Sequence, residues 1–202
     1  MNKIITIGRE FGSGGREIGI KLAEKLGLKF YDKELISLAA EDGNLDAAFI
    51  ESHEEQSPSI IAGGLSRSPF ASFVYQPSFT DTIFFKQCDT LKKIAEQGPC
   101  VIVGRCADYV LRDYSRLDIF ISSSMSAKIA RKRAMAPEKK DFTDIEMEKW
   151  ITRINKGRRR YYEHYSGNKW GNIENYDLCI KTDDIGVDGA VEVILAYING
   201  LK

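Results

Sequence analysis

The feature that most constrains this 202-residue chain is a glycine-rich stretch near its start, Gly8-Arg9-Glu10-Phe11-Gly12-Ser13-Gly14-Gly15-Arg16-Glu17. It separates a β-branched run, Lys3 to Ile7, from a helical stripe made by Ile18, Leu22, Ala23 and Leu26. A strand that enters a helix through glycines puts backbone N–H groups at a helix N-terminus, where the dipole favours an anion. Glycine also lets the backbone take positive φ and approach a ligand closely. Gly12, Ser13, Gly14, Gly15 and Arg16 are therefore the candidate phosphate cradle, with Arg16 as its cation. A plain connecting turn is the competing reading; the strand before the loop and the helix after it weigh against that. The stretch is not a GxxxxGK[ST] loop: no lysine follows the last glycine, and Glu17 stands where a hydroxyl normally ligates Mg2+.

The rest of the chain continues the strand–helix alternation. Short apolar runs at Leu28 to Tyr31, Cys100 to Val103, Leu117 to Ile121 and Tyr176 to Lys181 read as strands. Helical patterns lie near Lys33 to Ala40 and at Asp81 to Gln97, Ser126 to Ala134, Thr143 to Tyr165 and Val187 to Ile198. Gly27 is expected to stop the first helix as a C′ glycine. The expected fold class is α/β, a parallel sheet covered on both faces with right-handed crossovers. Residues 41 to 80 break the pattern, being rich in Ser, Pro and Gly with weak periodicity. They read as an irregular insertion, either disordered or covering a substrate.

Composition excludes other classes. Lys and Arg number 29, as do Asp and Glu, so the net charge is zero, which argues against a dedicated nucleic-acid or membrane-surface protein. The N-terminal apolar run ends at Arg9 and Glu10, too soon for a signal peptide, and no run is long enough for a membrane span. Cys88, Cys100, Cys106 and Cys179 show no CxxC pair or zinc spacing, which suits reduced thiols in a cytosolic, cytoplasmic protein. The apolar neighbours of Cys100 and Cys179 predict that both pack in the core. His53 and His164 are too few and too far apart for a metal site or triad.

Three segments together carry a family resemblance: GREFGSGGREIGIKLAEKLGLKFYDKELI, VIVGRCADYVL and RRRYYEHYSGNKWG. The chain resembles the cytidylate kinase-like family, a branch of the P-loop nucleoside monophosphate kinases, over most of its length and least over residues 41 to 80. The resemblance implies a P-loop kinase three-layer α/β/α fold in one domain. It would have a five-stranded parallel sheet, an irregular monophosphate-binding segment at 41–80 and a helical, arginine-bearing lid at about 128–165. In register with ordinary cytidylate kinases, Gly15 falls on the loop lysine, Arg16 on a glycine and Glu17 on the threonine. The GSGGRE form is the branch's own pattern, and Arg16 is expected to replace the lysine's charge from the next position.

The resemblance also assigns roles at two other strand ends. Asp32 matches the aspartate that ends the second strand near the acceptor nucleoside, and Gly104-Arg105 the pair whose arginine holds the acceptor phosphate. Arginine's planar fork suits a phosphate, and ligands in parallel sheets bind at the carboxyl ends of strands. Asp32 could instead cap a following helix, and Arg105 could pair with Asp108 or Asp113.

The neutral total conceals an uneven distribution. Residues 128 to 160 hold twelve basic and five acidic side chains, a local excess of seven that the remainder of the chain balances. Lys128, Arg131 and Lys132 share one helix face, whereas Arg158, Arg159 and Arg160 cannot all do so. The readings are a solvated face, a nucleic-acid patch with Tyr161, Tyr162, Tyr165 and Trp170, or a lid over transferring phosphates. The resemblance favours the lid, with Arg131, Arg158 and Arg160 as its catalytic cations, and leaves the aromatics to packing.

The expected activity is transfer of the γ-phosphoryl of ATP, with Mg2+, to a nucleoside monophosphate, CMP or dCMP. Its partners would be small nucleotides rather than membrane or nucleic acid. Two alternatives stay open: a P-loop kinase fold acting on another small acceptor, and a nucleotide-binding regulatory module with little chemistry.

Overall fold

The computed structural model of the chain describes residues 3–32, 79–139 and 141–201. Its elements are β1 (Ile4–Arg9), α1 (Gly15–Leu26), β2 (Lys29–Tyr31), α2 (Phe79–Glu96), β3 (Cys100–Val103), α3 (Ala107–Val110), β4 (Arg116–Ser122), α4 (Met125–Met135), α5 (Asp144–Ser166), β5 (Leu178–Lys181) and α6 (Gly186–Gly200). The strands form a wholly parallel sheet in the order β2-β3-β1-β4-β5.

Burial along the strands explains that order. Runs of four or five consecutive residues in β1, β3 and β4 are buried, and because successive side chains point to opposite faces, such strands must be covered on both sides. Those are the three inner strands. Ile5, Ile7, Val101, Val103, Ile119 and Ile121 point to one face, against Ile18 and Leu22 of α1 and Ala190, Val191 and Ile194 of α6. Ile4, Cys100 and Ile102 point to the other, against Leu91 and Ile94 of α2, Val110 of α3 and Tyr162 of α5. The result is the expected three-layer α/β/α arrangement of a P-loop kinase fold.

Local chemistry sets the helix ends. Gly27 takes φ 65° and donates its N–H to the Ala23 and Glu24 carbonyls, closing α1 as a C′ glycine. Thr143 is extended and caps α5 in a reciprocal box with Glu146, so that helix begins one residue after the expected threonine. Gly167, at φ 72°, ends it. β5 is shorter than the expected Tyr176 to Lys181, because Tyr176 completes a 3-10 turn over Ile173–Asn175.

One expectation about the core is corrected. Cys100 is buried as expected, but Cys179 is exposed. It lies on β5, an edge strand whose burial is patchy, and local apolar neighbours do not cover a strand that no further strand pairs with among the described residues. The expected helix near Lys33 to Ala40, residues 41–78 of the insertion and His53 lie outside the described residues. No helix among the described residues is long and apolar enough to cross a membrane.

A polar pair sits inside the sheet. Asp118 faces its register partner Thr6, whose hydroxyl donates to the carboxylate at 2.6 Å, and Arg116 Nε lies 2.8 Å from it. Burial pushes the Asp118 carboxyl from its ordinary 3.8 up to about 6, against the opposing pull of Thr6 and Arg116. The folded chain therefore holds this proton more readily than the unfolded chain. The stability it confers is complete below pH 3.8 and is lost as pH rises through about 6. Asp118→Asn is expected to abolish this dependence. Paired denaturant melts should show wild type losing stability relative to the variant between pH 4 and 6.5, and parallel profiles would contradict the assignment.

Candidate active site

The glycine loop leaves the carboxyl end of β1 and enters α1. Gly12 and Gly14 take φ of 86° and 87°, a region that penalises other residues. Gly14 is the N-cap of α1 and has no side chain to satisfy the first turn, which leaves those N–H groups pointing outward as anion donors. The loop's shape comes from Glu10: its carbonyl accepts from Ser13 N and Ser13 Oγ, and its own N–H donates to the Ile121 carbonyl of β4. Ser13 is buried and its hydroxyl is committed to that turn. Thr182, just after β5, donates to the Ser13 carbonyl at 2.9 Å.

The shared face of Lys128, Arg131 and Lys132 lies along this loop. Lys128 is buried, its Nζ is 2.7 Å from Glu10 Oε2, and its Cβ lies 3.0 Å from where a Cβ on Gly12 would stand. Arg131 reaches across Gly14 to ion-pair with Glu17. Lys132 Nζ stands 4.1 Å over the Phe11 ring, and burial, then Arg158 and Arg131, lower its pKa. Phe11 is also packed edge-on by Trp150, and its N–H donates to Asn155 of α5 at 2.7 Å. Arg158 sits 5.4 Å from the Phe11 ring and donates to the Arg9 carbonyl. Arg160, two positions on, is exposed and lies off that face.

The acceptor-side candidates stand at neighbouring strand ends. Asp32, buried at the end of β2, accepts from Arg16 Nε and Nη2, each at 2.7 Å. Arg105 follows β3 in a run of three left-handed residues: Gly104 at φ 82°, Arg105 at 61° and Cys106 at 52°. Two successive non-glycine residues in that region store strain, which is common where a backbone must aim a functional side chain. The Arg105 guanidinium stands 5.9 Å from the Tyr161 ring. Asp108, considered above as its partner, instead accepts from Tyr162 at 2.6 Å. The arginines at positions 16, 105 and 158 all lie close enough for their charge to act on Arg9, as does Asp32.

The model of the cytidylate kinase-like family matches residues 4–184. The chain belongs to the cytidylate kinase-like family. No curated protein matches it. Among solved structures it is similar to an uncharacterized protein from Eubacterium ventriosum, with 29% identity, a TM-score of 0.74, and coverage of 98% of this chain and 99% of that one. It is also similar to shikimate kinase from Bacteroides thetaiotaomicron, with 14% identity, a TM-score of 0.58 and coverage of 98% and 99%. Shikimate kinase from Acinetobacter baumannii, in complex with shikimate, matches at 15% identity and a TM-score of 0.56, covering 100% of this chain and 96% of that one. At such identities the shikimate kinases show a common fold alone.

The carboxylate at position 17 stands where a GxxxxGK[ST] loop has its hydroxyl. Glu17 is held by Arg131 and by Lys21 at 3.5 Å. Among the described residues, no three metal-ligating side chains cluster. The loop's donors and cations fit a polyphosphate, whereas its side chains do not form a ready Mg2+ site. Sequence reasoning missed Arg9, Glu10, Phe11, Lys128 and Asn155 as parts of this site. The one available signal was the unusual pair of charges beside the loop's first glycine. Gly14→Ala tests the loop geometry. It forces a side chain at φ 87° and 2.9 Å from Val187 Cγ2, and should cost about 1–3 kcal/mol in denaturant melts while weakening ATP-dependent thermal stabilisation.

Proposed function

We propose that this protein transfers the γ-phosphoryl of ATP to a nucleoside monophosphate, with CMP and dCMP the first acceptors to test. One observation carries the reading: the open N-terminus of α1 and the arginines of α1, of the turn after β3 and of α5 converge where β1, β2 and β3 end. Membership of a kinase-like family supports phosphotransfer.

The acceptor oxygen belongs to a phosphate that is largely ionised at neutral pH, so the reaction needs positioning and charge neutralisation rather than a strong base. The loop at Gly12, Ser13, Gly14 and Gly15 holds donor phosphates through backbone N–H groups. Arg16, bound to Asp32, spans the donor and acceptor sides. Asp32 orients the acceptor and Arg105 grips its phosphate. Arg131 and Arg158 belong to a lid formed by the α4–α5 arm and stabilise charge on the transferring group, whereas Arg160, exposed and off the loop-facing side of α5, is left without that role. ATP is the donor, with any Mg2+ carried on its phosphates as part of the substrate.

A second reading, a nucleotide-binding regulatory module, is favoured by the ion pairs that engage Glu17 and by the missing side chain at Gly15. A coupled ADP-release assay over all common nucleoside monophosphates and a panel of small hydroxyl acceptors separates the readings. Turnover with CMP or dCMP supports the proposal, and turnover confined to another acceptor redirects it. Stabilisation by ATP with no product would favour the regulatory module. Within the kinase reading, Arg105→Ala should lower acceptor kcat/KM by about 10²- to 10³-fold with little change in the KM for ATP. Wild-type turnover in Arg16→Ala would remove Arg16 from the machinery.

A further inference from the structure

Laying the GxxxxGK pattern on the loop with its second glycine at Gly14 puts its first glycine at position 9 and its lysine at position 15. This chain has arginine at 9 and glycine at 15. The two departures meet in space. A Cβ on Gly15 would stand 2.5 Å from Cβ of Arg9 and 3.0 Å from its Cγ. The Arg9 stem thus fills the room beside residue 15 and runs on to Gly104, where a Cβ would stand 1.8 Å from Arg9 Nη1. We propose that the phosphate-binding charge of this loop has moved from position 15 to position 9, so that Arg9 is the cation that holds the donor phosphates. Gly15 and Gly104 lack side chains so that it can pass.

Its surroundings support the assignment. Among the described residues, no carboxylate lies within ion-pair distance of the Arg9 guanidinium and no hydrogen bond is made by it. Asp32, the carboxylate whose charge reaches it, is engaged by Arg16. Burial, then Arg158 and Arg105, press its pKa well below the ordinary arginine value. A half-buried guanidinium among like charges is costly to a fold. An arriving polyphosphate supplies the missing charge, and the arginine fork can bind two of its oxygens at once. The side chain starts from a fixed point: Arg9 is the last residue of β1, in register with Ile121, and its carbonyl accepts from Arg158.

The inference deepens the phosphoryl-transfer reading and rests on it for the identity of the anion. Its test is titration calorimetry with ATP and with inorganic tripolyphosphate. Arg9→Met and Arg9→Gly should each weaken both ligands by roughly 10- to 100-fold, the scale of one charged hydrogen-bonding partner. Arg9→Lys should keep most of the binding. The exchange variant R9G/G15K, in which the lysine returns to position 15 and the space is cleared at 9, should regain much of what R9G loses. Ligand-free Arg9→Met should melt no lower than wild type, because it removes an uncompensated charge; a merely structural arginine would give a lower melting temperature. Wild-type affinity in Arg9→Met, or no gain in R9G/G15K over R9G, would overturn the charge exchange while leaving the kinase reading standing. Failure of the wild-type protein to bind either ligand would overturn both.

Discussion

The ion pair between Lys128 and Glu10, 2.7 Å long and closed to solvent on the lysine side, fixes the basic arm to the glycine loop. The same carboxylate accepts the Ser123 N–H at the end of β4, and the same residue's carbonyl turns the loop back through Ser13. One residue thus joins β1, β4, α4 and the loop. A buried pair of this kind adds little net stability over apolar packing, but losing one partner leaves an uncompensated charge, so it specifies one arrangement strongly. Phe11 completes the joint, held between Trp150, Lys132 and Arg158 with its N–H on Asn155.

That joint has an electrostatic consequence. The charges of Arg16, Arg105 and Arg158 all reach Arg9, as does that of the buried carboxylate Asp32. Local backbone strain at Arg105 and Cys106 adds to the cost. Both costs fall at the mouth of the sheet, while the layers below are packed mainly by apolar side chains. The three-layer body therefore concentrates its backbone strain and its clustered arginines at the mouth of the sheet.

The loop, the parallel sheet and the helix ends were legible from Gly8 to Glu17, from the apolar strands and from Gly27 and Thr143. Each is encoded by residues close in sequence. Asp32, Gly104 and Arg105 became legible through family resemblance, since nothing local distinguishes an aspartate that caps a helix from one that meets Arg16. Glu10, Lys128, Phe11 and Asn155 were not legible. Their partners lie more than a hundred residues away, and their own neighbourhoods read as ordinary loop or charged helix. Cys179 misled for the related reason that apolar neighbours along a strand do not say whether that strand ends up at an edge.

By itself the sequence determined that this chain forms a doubly covered parallel sheet with a glycine loop after its first strand. Hydrophobic period and glycine placement act over a few residues and need no distant partner. It also determined that seven excess positive charges gather between residues 128 and 160. The tertiary structure decided which of those charges meet the loop and which side chain fills the space where a lysine usually stands. Lys128, Arg131 and Arg158 face the loop because α4 and α5 pack with one face toward it, and Arg9 crosses Gly15 because β1 ends there beside Gly104. Contacts of that kind depend on how whole elements dock, and local periodicity carries no information about docking.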